Sequence, residues 1–298
     1  MSIGPKPGFT IFPGIRTKVN RSHSFPSPLD SGHTWIVTGA RLLDDFGWEW
    51  RISHGLFGRE TIMSTRVRWL GHAALLLESD GRSVLIDPFL TGNPKAAVSA
   101  NEVSADLILI SHGHGDHVGD AVAISRRTGA TVATNYEISE WLQKPAQGLS
   151  GPKVHGLQHG GSFVFDQSVR VKLTIAFHGS ALPDGSNGGN PSGFILTFAD
   201  GTKVYDAADT ALFGDMKLIG EEGLDLAIIP IGDYYTMGPD DALRAVKLLQ
   251  PRFVLPIHYN TFPPIAQDPA AWAARVTNET AAQPVVLQPG DWFDIPKK

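Results

Sequence analysis

The stretch Ile110-Ser-His-Gly-His-Gly-Asp-His places four metal donors, His112, His114, Asp116 and His117, within six residues. It follows the continuous apolar run Leu107–Ile110, which has the character of a buried strand, and it leads into helical spacing at Val118, Ala121 and Ile124. A fold for this chain must therefore bring a strand end and a helix start together around the donors. Gly113 and Gly115 let the backbone turn sharply, so that the imidazoles converge. His112 and His114 project to one side of the loop, as a single ion with Zn–N distances of about 2.0–2.1 Å requires. Asp116 and His117 can face a second ion, and two ions about 3.5–4 Å apart form a hydrolytic centre. Such a centre needs further ligands, and strand ends offer them. His178 closes the run Val171–Phe177, Asp209 follows Lys203–Tyr205, and His258 follows Phe253–Ile257. Strand-end His and Asp side chains also cap and hydrogen-bond, so for these three the pattern alone leaves both readings open. The isolated His23, His33, His54, His155 and His159 read as structural or incidental. The chain has no cysteine, which excludes thiolate metal sites, iron–sulfur clusters, disulfides and a catalytic thiol.

A length of 298 residues suits two domains or one large one, and the pattern divides near Met63. Residues 1–62 are proline-rich, hold no sustained period, and show only Trp35–Val37 as a short strand, with Trp48 and Trp50 nearby. They read as an N-terminal extension, or as sequence upstream of a natural start at Met63. Residues 63–298 read as one hydrolase domain of strands and helices. Strands are expected at Val67–Leu70, Ala73–Glu78, Val84–Ile86, Leu107–Ile110, Thr131–Ala133, Phe163–Phe165, Val169–Ile175, Gly193–Phe198, Lys203–Tyr205, Leu226–Pro230, Phe253–Ile257 and Val285–Leu287. Asp80-Gly81, Asp166-Gln167 and Asp200-Gly201 supply turns. Helices are expected from Asp116 to about Arg127, at Glu137–Leu142, at Pro239–Leu249 with Pro at its start and Asp240 and Asp241 in its first turn, and at Pro269–Val276. The mixture predicts an α/β (α+β) protein with two mixed sheets and helices outside.

A formal net charge of −5 and the lack of a basic or aromatic-basic stretch argue against a nucleic-acid partner. No apolar run reaches about 18 residues, so no stable membrane insertion is expected. Without a signal-peptide pattern, the expected compartment is the cytoplasm.

The motif His112-x-His-x-Asp-His resembles the signature of the metallo-β-lactamase superfamily, and within it the chain is similar to the UPF0173 metal-dependent hydrolases, relatives of the ascorbate-6-phosphate lactonases. The carrying stretches are Trp69-Leu-Gly-His-Ala-Ala, Leu85-Ile-Asp-Pro-Phe-Leu, Ser111-His-Gly-His-Gly-Asp-His-Val-Gly-Asp, Phe177-His-Gly-Ser, Gly193-Phe-Ile-Leu, Asp209-Thr-Ala-Leu-Phe-Gly-Asp-Met-Lys-Leu-Ile-Gly, Thr236-Met-Gly-Pro and Pro256-Ile-His-Tyr-Asn-Thr-Phe-Pro. The similarity covers residues 63–298 and does not extend to residues 1–62. The resemblance implies a four-layer αββα sandwich with the metals at one edge of the sheets. It also implies His112, His114 and His178 on one metal, Asp116, His117 and His258 on the other, and Asp209 bridging. One stretch departs from the group's usual Tyr-His-Ala-Gly-Asp-Thr: here it is Tyr205-Asp-Ala-Ala-Asp-Thr, with Asp206 for the His and Ala208 for the Gly. Every ligand position is kept, so the departure bears on contacts behind the ligands or on substrate choice.

The expected chemistry is hydrolysis by a hydroxide that two Zn²⁺ make available at neutral pH. Mn²⁺, Fe or Ni²⁺ also suit such ligands. Asp116 would help to hold the hydroxide. His72, in a turn between two strands, is either a substrate contact or proton donor or a structural group. Asp87 reads as the partner of a ligand imidazole, or else as a turn cap. Asn190, Tyr235 and Asn260 are weaker substrate-site candidates, and the glycine-rich loop Pro183–Pro191 has the make-up of a mobile flap. The first functional expectation is a small-molecule hydrolase acting on an ester, lactone or phosphodiester. Alternatives are a nuclease of the RNase Z-like type, a phospholipid-cleaving phosphodiesterase and a non-catalytic metal-dependent binding subunit. The resemblance also suggests a homo-oligomer.

Overall fold

A computed structural model describes residues 64–149 and 153–298. The expectations for residues 1–62, and for a start at Met63, lie outside the described residues. Two seven-stranded sheets form the centre. The first has the order β14-β1-β2-β3-β4-β5-β6, built from β1 (Arg66–Gly71), β2 (Ala74–Ser79), β3 (Arg82–Ile86), β4 (Leu107–Leu109), β5 (Thr131–Asn135), β6 (Val154–Leu157) and β14 (Trp292–Asp294). The second runs β13-β12-β11-β10-β9-β8-β7, from β7 (Ser162–Phe165), β8 (Val169–Ile175), β9 (Ser192–Phe198), β10 (Lys203–Asp206), β11 (Leu226–Pro230), β12 (Phe253–Ile257) and β13 (Gln283–Pro284).

Strands buried on both faces explain the apolar runs. In β2, Leu75 and Leu77 enter the core that extends through the second sheet, while Ala74 and Leu76 face a second cluster with Ile124 and Ile138. Those two residues come from the helices α2 (Ala121–Thr128) and α3 (Tyr136–Leu142), which pack on β5 and β6. The second sheet is covered by α4 (Met216–Gly220), α5 (Pro239–Leu249) and α6 (Pro269–Glu279), with α5 on β11 and α6 on β13. This is the expected αββα layering.

Strand direction decides where loops can meet. β1 and β2 are antiparallel, as are β2 and β3, and β3, β4, β5 and β6 are parallel. β1, β3 and β4 therefore end at one edge of the first sheet. By the same pairing logic β8, β10, β11 and β12 end at one edge of the second. Every candidate ligand outside α1 (Gly115–Val118) lies just beyond the carboxyl end of one of these strands, where open α/β sheets form their clefts.

Some expected elements differ from those observed. The helix expected from Asp116 to Arg127 is two helices, α1 and α2, separated at Gly119. Gly119 has φ 39° and ψ −124°, and a β-carbon there would overlap the carbonyl of Pro88. Asp120 does not cap α2; its carboxylate accepts hydrogen bonds from the amides of Leu90 and Thr91. Val285–Leu287 is not a strand. Val285 donates one backbone hydrogen bond to Val254, and the chain then crosses to the other sheet, where Trp292–Asp294 pairs with Arg66–Arg68. β6 and α4 were not expected.

Candidate metal centre

His112 and His114 sit in the loop after β4, and Asp116 and His117 lie on α1. His178 follows β8 by three residues, Asp209 follows β10 by three, and His258 follows β12 directly, with a left-handed backbone at φ 55°. The fold brings all seven together. One nitrogen each from His112, His114 and His178 forms one group with mutual separations within 4.8 Å, and Asp116, His117 and His258 form a second with His72 under the same limit. Asp209 joins the two groups: its Oδ2 is 3.4 Å from His178 Nε2, 3.3 Å from His117 Nε2 and 3.1 Å from His258 Nε2.

These spacings can be compared with what an ion demands. Two donors on one tetrahedral Zn²⁺, each about 2.0–2.1 Å away, stand about 3.3 Å apart. The three Asp209 distances match this separation, and His112 Nε2 is 3.0 Å from His114 Nδ1. Hydrogen bonding behind the ligands fixes which ring atoms are free. Asp87 Oδ2 accepts from His117 Nδ1 at 2.7 Å and from Ser111 Oγ at 2.5 Å. With its single proton given to Asp87, Ser111 Oγ must accept from His112 Nδ1, 2.9 Å away. His112 therefore aims a bare Nε2 inward, and His117, its Nδ1 proton given to Asp87, turns its Nε2 toward the same centre. His117 Nε2, His258 Nε2 and Asp209 Oδ1 are buried without a hydrogen-bond partner. Orphaned atoms of this kind cost about 1–3 kcal/mol each, or more when charged, and a divalent cation beside Asp209 Oδ2 satisfies the two imidazole nitrogens. The donor set fits a metal centre.

The electrostatics point the same way. Burial lowers the affinity of His112, His114 and His178 for a proton. Burial also opposes protonation of His117, yet the carboxylates of Asp209 and Asp87 hold its imidazole well above the usual histidine range. A positive charge is thus favoured at the spot that joins the two groups. Burial opposes ionisation of Asp209, but His258 and His117 keep its carboxyl well below the usual carboxylate range.

His72 is fully buried, with a left-handed backbone at φ 57°. Its Nε2 lies 3.2 Å from Asp116 Oδ2 and its Nδ1 lies 2.9 Å from Thr261 Oγ1. Burial lowers its pKa to about 4, so the ring is neutral near pH 7. Burial works against ionisation of Asp116, but the His72 hydrogen bond and the charge of His117 hold its carboxyl well below the usual range. An ionised carboxylate can only accept, so His72 donates through Nε2 and accepts the Thr261 hydroxyl proton at Nδ1. Sequence reasoning missed Thr261 and Ser111. Both lie in the stretches that carry the family resemblance, but a hydroxyl shows its role only once its partners are in place.

The remaining candidates are more dispersed. Asn260 is occupied as a loop brace, bonding both the amide and the carbonyl of Gln267. Asn190 is exposed and gives its carbonyl to Asn135, and Tyr235 is exposed. His155 stacks on Phe163, and His159 contacts Pro191 and Ser192. The loop Pro183–Pro191, expected as a flap, is pinned: Asp184 accepts from Trp141 Nε1, the carbonyls of Gly188 and Asn190 accept from Asn135, and the amide of Gly188 donates to Ser180.

The two departures in the 205–210 stretch lie behind the ligands. Ala208 has φ 52°, a conformation that glycine adopts at lower cost. Asp206 is buried and accepts from the Ala208 amide at 3.1 Å. Burial, and then the charge of Asp87, push its carboxyl up to about 8. The folded chain then keeps a proton that the unfolded chain releases near pH 4. In metal-free protein Asp206 therefore subtracts stability progressively as pH rises from about 4 to 8, by at most about 1.4 kcal/mol per pH unit. Asp206→Asn keeps the acceptor and removes the titration. Its melting-temperature advantage over the native chain, both treated with chelator, should widen from pH 5 to pH 8; a difference that stays flat across that interval rules out the buried acid.

This fold, with this donor set at the carboxyl ends of its strands, defines a metal-dependent hydrolase of the metallo-β-lactamase superfamily. A model of the beta-lactamase superfamily domain matches residues 66–258. A UPF0173 metal-dependent hydrolase of Pelotomaculum thermopropionicum is 48% identical over 235 residues, covering 77% of this chain and 100% of the relative. Another from Thermus thermophilus is 50% identical over 225 residues, covering 76% and 96%. A solved metallo hydrolase from the archaeon Ignicoccus hospitalis superimposes with a TM-score of 0.70 at 37% identity, covering 79% of this chain and 100% of that one. The chain belongs to the UPF0173 metal-dependent hydrolases. Among the described residues no helix is long and apolar enough to cross a membrane.

Proposed function

We propose that the chain binds two Zn²⁺ and hydrolyses a small-molecule ester, lactone or phosphodiester. The observation that carries this reading is the convergence of the buried, partnerless Nε2 atoms of His117 and His258 on Asp209 Oδ2 at the spacing that tetrahedral ions require. Bound divalent ions supply Lewis acidity and lower the pKa of water toward about 7. His112, His114 and His178 hold one ion, Asp116, His117 and His258 the other, and Asp209 both. Asp87 keeps His117 in the correct tautomer by accepting from its Nδ1. Asp116 is the carboxylate of the set that reaches solvent, with its side chain 36% exposed. With Oδ2 held by His72, the Asp116 carboxylate is oriented to help hold the attacking water as a hydrogen-bond acceptor. His72 acts through Asp116: it donates to that carboxylate and fixes its direction.

Metal analysis of the purified chain, followed by a panel of lactones, esters and phosphodiesters, tests this. His112→Ala should lose bound metal and activity together. Unchanged metal content in that variant would overturn the ligand assignment, and a fully loaded protein inert across the panel would make the chain a metal-dependent binding subunit.

A further inference from the structure

Five aromatic side chains stand among the exposed large apolar residues of the described chain: Tyr136, Phe177, Tyr234, Tyr235 and Phe262. Four of them lie on loops that carry or brace the ligands. Phe177 directly precedes His178, and its amide donates to Thr210 Oγ1 beside Asp209. Phe262 lies edge-on to His72, with ring centroids 5.6 Å apart. Tyr234 and Tyr235 form the tip of the loop after β11, their rings 4.7 Å apart. That loop is held against the centre at both ends. Gly232 packs on the carbonyl of His258, and the Met237 amide donates to the Thr210 carbonyl. Its tip is strained outward, with Asp233 and Tyr234 both left-handed at φ 61° and 55°. Tyr234 is 73% exposed, Phe177 56%, Tyr235 54% and Phe262 37%. Strain that keeps two aromatic rings in solvent on a loop braced against the His258 and Asp209 turns points to a ligand that covers them.

The charge around the cleft narrows what that ligand can be. Residues 176–191, 207–215, 231–238 and 258–268 form the loops beyond the ligand-bearing ends of the second sheet, and they contain no Lys or Arg, whereas the loop after β3 carries one exposed lysine, Lys95. They do carry exposed carboxylates at Asp184, Asp215, Asp233 and Asp268. A phosphate or carboxylate away from the reacting bond is held by arginine, lysine or similar donors, and these four loops offer carboxylates instead. Three of the four carboxylates are engaged in local turns: Asp184 accepts from Ser186, Asp233 from the Tyr234 amide, and Asp268 from the Ala270 and Ala271 amides. They are not arranged as a cage for a cation.

Resting on the hydrolase reading, we infer that the part of the substrate that does not react is apolar and uncharged, and that it is seated by Phe177, Tyr234, Tyr235 and Phe262. A substrate phosphorylated away from the scissile bond, or a polynucleotide, is rejected by the same loops.

The test uses the full chain loaded with Zn²⁺ and two matched sets, 4-nitrophenyl carboxylic esters and 4-nitrophenyl phosphodiesters. Each set has a methyl, a hexyl, a carboxylate-ended hexyl and a trimethylammonium-ended hexyl tail. In whichever set is turned over, kcat/KM should favour the plain hexyl tail over both charged tails by about tenfold or more. Tyr235→Ala and Phe262→Ala should each reduce the hexyl-over-methyl preference several-fold through KM, with metal content and elution mass unchanged, and Tyr235→Phe should restore it. Equal or better turnover of a charged tail, or an unaltered tail preference in the alanine variants, overturns the inference while leaving the hydrolase reading intact. A drop in elution mass in those variants also overturns it, because the aromatic patch is then a contact between copies of the chain. No turnover of either set by metal-loaded protein defeats the hydrolase reading itself, and the inference falls with it.

Discussion

On the two-ion reading proposed above, Asp209→Ala should empty both halves of the centre at once, taking metal content to below one ion per chain. Hydrolytic activity should fall by at least about 10³-fold, because neutral water is a poor nucleophile without a cation to ionise it. The prediction follows from one oxygen. Asp209 Oδ2 is the atom that lies within 3.4 Å of His178 on one side and within 3.3 Å of both His117 and His258 on the other. His178→Ala and His258→Ala each remove a donor from one group only, and each should leave about one ion per chain at reduced affinity. Equilibrium dialysis with metal analysis of the three variants separates the outcomes. If Asp209→Ala still holds two ions as tightly as the native chain, the carboxylate is not shared and the arrangement of the centre is wrong. Removing Asp209 also leaves His117 and His258 without the carboxylate they face, so a native far-UV spectrum of the variant is part of the test.

The centre was legible in the sequence because its chemistry is written in residue types that rarely cluster without cause. The candidate ligands His112, His114, Asp116 and His117 lie within six positions, and the other three candidates sit where apolar runs stop. The ends of β8, β11, α5 and β12 are visible as composition changes, and α5 was legible to the residue from Pro239, its two aspartates and its apolar stripe. What the sequence hides is whatever depends on a distant partner. β14 forms because Trp292–Asp294 meets β1 more than 220 residues earlier, and no local period announces that. β6, Val154–Leu157, is an edge strand with exposed His155 and Gly156, so it lacks the apolar run that marks β4 or β12. The helix from Asp116 reads as continuous because Val118, Ala121 and Ile124 keep helical spacing across Gly119. The break comes from Pro88, whose carbonyl occupies the space that a side chain would need.

The same distinction separates ligands from the groups that aim them. Asp87 could be suspected from its place after β3, but its two oxygens serve Ser111 and His117 in a geometry that only the folded sheet defines. Asp87, His72, Ala208 and His258 all have left-handed backbones, with φ between 44° and 57°. None is glycine, and such conformations cost about 1 kcal/mol or more each. Strain gathered on one edge of the sheets is what a preorganised site looks like, and a sequence shows it only where another residue type would be expected, as at Ala208.

The most sensitive of these backbone positions belongs to a residue that binds nothing. Gly232 lies against the carbonyl of His258, and a β-carbon there would overlap that oxygen while pressing on Ile265 Cβ at 3.1 Å. Neither neighbour is the end of a flexible side chain, so the backbone must move. The backbone in question is the left-handed turn that aims the His258 imidazole, and its amide also bonds the carbonyl of His72 at 3.0 Å. Gly232→Ala should therefore act as a ligand mutation at a distance. It should cost about 1–3 kcal/mol of stability, weaken the ion on the Asp116, His117 and His258 side by about 10–100-fold, and leave the ion held by His112, His114 and His178 nearly as before. Gly214→Ala is the matched control, because a β-carbon at Gly214 meets nothing within 4 Å. Metal titration of the two variants, with melting temperatures measured with and without chelator, distinguishes a displaced ligand from general damage. In the first case the loss of stability is larger with metal present than without it, because the variant forfeits binding energy as well as packing. Equal losses in both conditions, with both ions retained at native affinity, would mean that the His258 turn yields without cost and that the site is not held as rigidly as its strained backbone implies.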